Sequence, residues 1–128
     1  MSYHFSKVVN QSFDAAVKRV GDALKKEGFG ILTDIDVKAT LKKKLDLEFR
    51  NYRILGACNP SLAHQALLAE DKIGTMLPCN VIVQELDDGR IEVSAVDPVA
   101  SMQTVGNPNL LDIASTVQTK LKAVIAAL

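Results

Sequence analysis

"LPCNVIVQELDDGRIEVSAVDP", Leu77 to Pro98, decides the fold. Two runs rich in β-branched residues, "CNVIVQEL" and "RIEVSAV", flank Asp87-Asp88-Gly89, a tight-turn signal whose glycine accepts the positive φ that a hairpin turn demands. The spacing predicts an antiparallel hairpin. Counting outward from a turn centred on Asp88 places Cys79 across from about Asp97.

Upstream, "NYRILGAC" is extended and ends at Cys58, and Asn59-Pro60 supplies an N-cap followed by proline at the first helical position, predicting a helix from Pro60 to about Ala69. "DKIGTMLP" is a connector. Further back, Gly30 opens "ILTDIDV", whose Ile31, Thr33, Ile35 and Val37 alternate against Leu32, Asp34 and Asp36 as in a strand with one wet face. Asp36 caps a short helix through "VKATLKKKL".

The amino-terminal third starts with a loosely alternating strand, Tyr3 to Val9, and continues into a helix whose Phe13, Ala16, Val17, Val20, Ala23 and Leu24 share one face. Ser12 serves as its N-cap, Lys25 and Lys26 suit its last turn, and Gly28 suits the left-handed position beyond it. After Asp97-Pro98, "VASMQTVG" crosses to Asn107-Pro108. Leu110, Ala114, Val117, Leu121, Val124 and Leu128 then mark a final amphipathic helix.

The order strand, helix, strand, short helix, strand, helix, hairpin, helix predicts one α+β domain, residues 1–128, with helices on one face of a mainly antiparallel sheet. A parallel sheet with crossovers is the competing topology, and the hairpin disfavours it.

At 128 residues the chain is long enough to bury a core without staples. Apolar residues make up 48%, and Lys+Arg equals Asp+Glu at 15 each, which excludes a disordered chain and removes the field that nucleic-acid binding needs. The amino end shows no signal-peptide pattern, and no run approaches the roughly 18 apolar residues of a membrane span. The expected location is the cytoplasm, with no nucleic-acid and no membrane partner. The run Lys42-Lys43-Lys44, with Lys38, reads as a solvated helix face.

Chemistry concentrates at the two cysteines. In the antiparallel topology the end of the strand at Cys58 and the start of the strand at Cys79 share one edge of the sheet; in the parallel one they sit a strand length apart, about 17 to 20 Å. The antiparallel reading gathers Cys58, Asn59, Cys79, Asn80, Asp97 and Met102 into one candidate ligand site. Cys58 precedes a helix N-terminus, which favours its thiolate, whereas Cys79 stands before "VIV" and is expected to be more buried. Such a pair suits a thiophilic metal ion such as Cu(I), bound by Cys58 and Cys79, or thiol exchange. Free cysteine also packs as a small hydrophobe, and that reading stays open. Neither His4 nor His64 has the neighbours of a catalytic triad.

"LKKEGFGILTDIDV", "YRILGACNP", Ala63, "LPCNVIV" and "VDP" at Val96 to Pro98 resemble the family called domain of unknown function 302, over almost the whole chain. The marked positions of that pattern fall on Cys58, Asn59, Pro60, Pro78, Cys79, Asn80, Asp97 and Pro98. The resemblance implies a TATA-binding-protein-like α+β fold and a homodimer, and it implies no activity. Three functions compete. The first is a small-ligand or soft-metal binding or sensing module. The second is a thiol-dependent redox enzyme with Cys58 as nucleophile and Cys79 as resolving thiol. The third is a homodimeric interaction subunit that buries Val117, Leu121, Val124 and Leu128 of the last helix in its interface.

Overall fold

The hairpin organises the sheet as expected. The structure is a computed structural model that describes residues 2–128. Its strands are β1 (His4–Val9), β2 (Gly30–Asp36), β3 (Tyr52–Cys58), β4 (Cys79–Glu85) and β5 (Ile91–Val96), and its helices are α1 (Phe13–Lys26), α2 (Val37–Leu45), α3 (Pro60–Ala69), α4 (Pro98–Met102) and α5 (Pro108–Ala126). The five strands form one sheet in the order β1-β5-β4-β3-β2, and every neighbouring pair is antiparallel. Two 3₁₀ turns, Asp71–Met76 and Gln103–Val105, occupy the connectors before β4 and α5.

Local chemistry sets the helix ends. The Ser12 hydroxyl accepts from the Ala15 N–H at 3.2 Å to start α1. At its other end Phe29 N–H donates to the Leu24 carbonyl and Gly28 N–H to that of Lys25, a Schellman closure that needs the φ of +85° at Gly28. Asp36, Asn59, Asp97 and Asn107 cap α2, α3, α4 and α5 through their side-chain oxygens. In the last three, proline follows the cap and takes the position where no N–H is needed.

α1 and α5 cover one face of the sheet. Val20 and Leu24 of α1, and Leu121 and Val124 of α5, are buried with Leu55, Val81, Val83, Val93 and Ala95 of the central strands. This corrects one expectation. The strip Val117, Leu121 and Val124 belongs to the core of its own chain, with Leu128 packed beside it, because the sheet supplies the apolar surface that an interface would otherwise provide. At the C-terminus of α5, Lys7 and Arg19 donate to the free carbonyls of Ala126 and Ala127, where positive charge suits the helix dipole.

The edge strand β2 departs from the one-wet-face reading, since all seven of its residues are exposed. A bulge between Ile31 and Thr33 breaks the alternation: Ile31 pairs with Ala57, but Thr33 pairs with Gly56. One extra residue shifts the phase of everything after it. Thr33 thereby lies over Gly56, where no side chain fits, because a methyl there would overlap the Thr33 hydroxyl and meet Pro78 Cγ at 2.7 Å. The lysines of α2 are exposed, and Lys42 pairs with Asp46 at 2.7 Å and Glu48 at 3.0 Å.

Candidate functional site around Cys58 and Cys79

Antiparallel pairing of β3 and β4 puts the carboxyl end of one beside the amino end of the other. Cys79 opposes Ala57, so Cys58 is one residue past the position facing it. Both cysteines line one small pocket together with Met102, the last residue of α4. α3 and α5 close it with Leu62, Ala66, Ala114 and Val117, and the lining is almost wholly apolar. Its free volume is about 30 Å³, room for a single water-sized occupant.

The two thiols differ as their surroundings dictate. Cys79 is buried and its pKa is pushed up to about 11, first by burial, which disfavours the thiolate, and then by the charge of Cys58. Cys58 is half-buried and directly precedes Asn59, whose side-chain oxygen accepts from the Leu62 N–H at 3.2 Å and starts α3. The positive end of that helix lies at the more accessible thiol. Both cysteines are free.

Of the six residues expected to converge, four line this pocket: Cys58, Asn59, Cys79 and Met102. Asn80 and Asp97 do not. Alternation along β4 sends Asn80 to the opposite face of the sheet, where it lines a separate cleft. Asp97 does reach the right end of the sheet, as the hairpin register demands, but its carboxylate is committed elsewhere. It accepts from the N–H groups of Val99 and Ala100 to cap α4, and from Gln118 Nε2 of α5 at 3.0 Å. His64 is exposed on α3, and the pocket lining does not include it.

The arrangement thus offers two thiols and a thioether in an apolar setting. Among the described residues no three His, Cys, Asp or Glu side chains come together as a metal-holding group; the sulfur-bearing residues of this pocket are Cys58, Cys79 and Met102. Sulfur donors are matched to soft ions.

The fold and pocket define a small two-layer α+β domain with one open sheet face. The chain belongs to the family described as domain of unknown function DUF302, whose model matches residues 5–128. It is similar to a crystal structure of an uncharacterized conserved protein DUF302 from Bacillus stearothermophilus, with 28% sequence identity, a TM-score of 0.92 and 98% of each chain covered. Comparison with curated proteins gives no match. Among the described residues no helix is long and apolar enough to cross a membrane.

Proposed function

We propose that the chain is a soft-metal binding or sensing module that takes a monovalent thiophilic ion, Cu(I), at Cys58 and Cys79 with Met102 as third donor. The observation that carries this reading is that three sulfur-bearing residues line one small apolar pocket with room for one small occupant. An organic ligand of several atoms needs more space than about 30 Å³. A soft monocation does not. Its charge offsets that of the thiolates it binds, which lowers the cost of ionising Cys79 in an apolar setting.

Half-buried Cys58 is the entry ligand and buried Cys79 the second. Metal binding displaces protons, so apparent affinity rises with pH below about 11, where free Cys79 holds its proton. The same raised pKa weighs against Cys79 as an attacking thiolate in a redox cycle. Competition titration of reduced protein with a chromogenic Cu(I) chelator tests the reading. It predicts one equivalent bound by the wild type and loss of that binding in both Cys58→Ser and Cys79→Ser. Unchanged binding in the two variants would defeat it.

A second reading, compatible with the first, is a homodimer through β2 and α2, and a specific observation favours it. α2 has no buried residue, and Ile31, Leu32, Ile35, Leu45 and Leu47 are all exposed on this one stretch. An edge strand with five large apolar residues around it is a surface that association would cover. Light scattering at micromolar concentration should give twice the chain mass of 13.9 kDa for the wild type and the chain mass for Leu32→Lys with Leu45→Glu. A wild-type monomer would remove this reading.

A further inference from the structure

The face of the sheet turned away from α1 and α5 carries a second site. Strand pairing arranges its residues in rows. One row runs Ser6, Ser94, Ile82, Ile54 across β1, β5, β4 and β3, and the row beside it runs Val8, Glu92, Gln84, Tyr52. A cleft of about 360 Å³ lies over this grid, at the lower end of the range for small-molecule sites. Tyr3 and His4 flank it from β1 and its approach, Tyr52 from β3, and Ile82 and Val96 give it an apolar patch.

Its polar groups are built rather than incidental. Ser94, at 9% exposure, is the one buried polar residue among those described. Its Oγ lies 2.7 Å from Ser6 Oγ, which lies 2.7 Å from Nδ1 of His4. When that nitrogen accepts, the single proton of Ser6 is committed to it and Ser94 must donate to Ser6. Ser94 then offers the cleft only lone pairs. Glu92 accepts from Gln84 Nε2 at 3.2 Å through one oxygen, and Gln84 in turn accepts from Arg50 Nε at 3.0 Å. The other carboxylate oxygen of Glu92 has no protein donor among the described residues.

Among the described residues Glu92 is the single carboxylate lining the cleft and no Lys or Arg lines it, and two tyrosine rings flank it. We infer that this cleft binds a small organic ammonium ion. The amine is held by Glu92 with Ser94 as a second acceptor, and the apolar body rests on Ile82 and Val96 between Tyr3 and Tyr52; the ring of Tyr3 attracts the cation, while that of Tyr52 already has the Arg50 guanidinium 5.4 Å from its centroid. The site lies on the opposite face from Cys58 and Cys79 and stands independently of the metal reading.

The probe is tyramine, titrated into ¹⁵N-labelled protein and followed by amide chemical shifts, with 4-hydroxyphenylacetate as its anionic counterpart. Tyramine is expected to give saturable shifts confined to Asn80–Gln84, Glu92–Val96 and His4–Ser6, and the anion none. Glu92→Gln, which keeps the shape and removes the charge, is expected to weaken binding by about tenfold or more, and Ser94→Ala by a smaller factor. No saturable shift up to about 10 mM tyramine would overturn the proposal. So would equal binding of the anion, or unchanged tyramine binding in a folded Glu92→Gln protein.

Discussion

The thiol of Cys79 should be nearly inert in the metal-free protein, and the size of that effect follows from its surroundings. Burial, reinforced by the charge of Cys58, moves its pKa from 9.0 to about 11. At pH 7 a thiol of pKa 9.0 is about 1% thiolate and one near 11 about 0.01%, and alkylation proceeds through the thiolate. Ionisation alone therefore slows Cys79 about 100-fold relative to an unperturbed thiol, and steric occlusion slows it further. Cys58 is only half-buried, at the start of α3, and so is open to the reagent. Iodoacetamide labelling of reduced protein from pH 7 to pH 10, read by peptide mass spectrometry, should show Cys58 modified first at every pH and Cys79 catching up only as pH rises. Because burial is the larger cause, Cys58→Ser should leave most of the slowness of Cys79 in place. Equal labelling of both thiols at pH 7, or a Cys79 that becomes fast once Cys58 is replaced, would refute the reasoning.

Other substitutions probe the frame that holds the pocket. Gly56→Ala forces a methyl against Thr33 and Pro78 and should cost about 1–3 kcal/mol in urea unfolding, with partial recovery when Thr33→Ala is added; full stability of Gly56→Ala would contradict the packing described. Leu121→Ala should cost about 2–5 kcal/mol independent of protein concentration, because Leu121 is core rather than interface. Asn59→Ala removes the cap of α3 and should cost about 1 kcal/mol. The carboxyl of Asp34 is held below its ordinary 3.8, chiefly by the hydrogen bond from Arg53, so its contribution is present above that value and lost as pH falls through the lowered one. The pair is partly exposed, so Asp34→Asn should destabilise by well under about 1 kcal/mol at pH 7 and by less still at pH 3, as compared urea titrations would show.

What could be read ahead of the structure was whatever local chemistry determines. Ser12, Asp36 and Asn59 announce helix starts because an oxygen two or three bonds from the backbone reaches the free N–H groups of the first turn. Asp87-Asp88-Gly89 fixes the β4–β5 register, which carries Cys79 to the same end of the sheet as Asp97. Adjacency in sequence groups Asn80 with Cys79, but strand alternation, applied strictly, sends adjacent residues to opposite faces, and Asn80 lines the cleft on the far face. Asp97 precedes a proline just as Asn59 and Asn107 do, and that shared pattern is the signal that it caps a helix.

The rest depends on distant pairing. The bulge at Ile31 to Thr33 has no local mark, since it follows from Thr33 and Pro78 closing over Gly56 of another strand. The chain from His4 through Ser6 to Ser94 forms only because β1 returns beside β5, with Ser6 opposite Ser94. A histidine in a first strand looks unremarkable until that register is known.

Copper K-edge X-ray absorption of the protein loaded with one equivalent of Cu(I) tests the metal reading most directly. The account predicts a first shell made of three sulfur atoms with no nitrogen or oxygen, reduced by one sulfur in Met102→Leu and collapsing in Cys79→Ser. A first shell dominated by nitrogen or oxygen, or one identical in wild type and Cys79→Ser, would show that copper binds elsewhere and that Cys58 and Cys79 only pack.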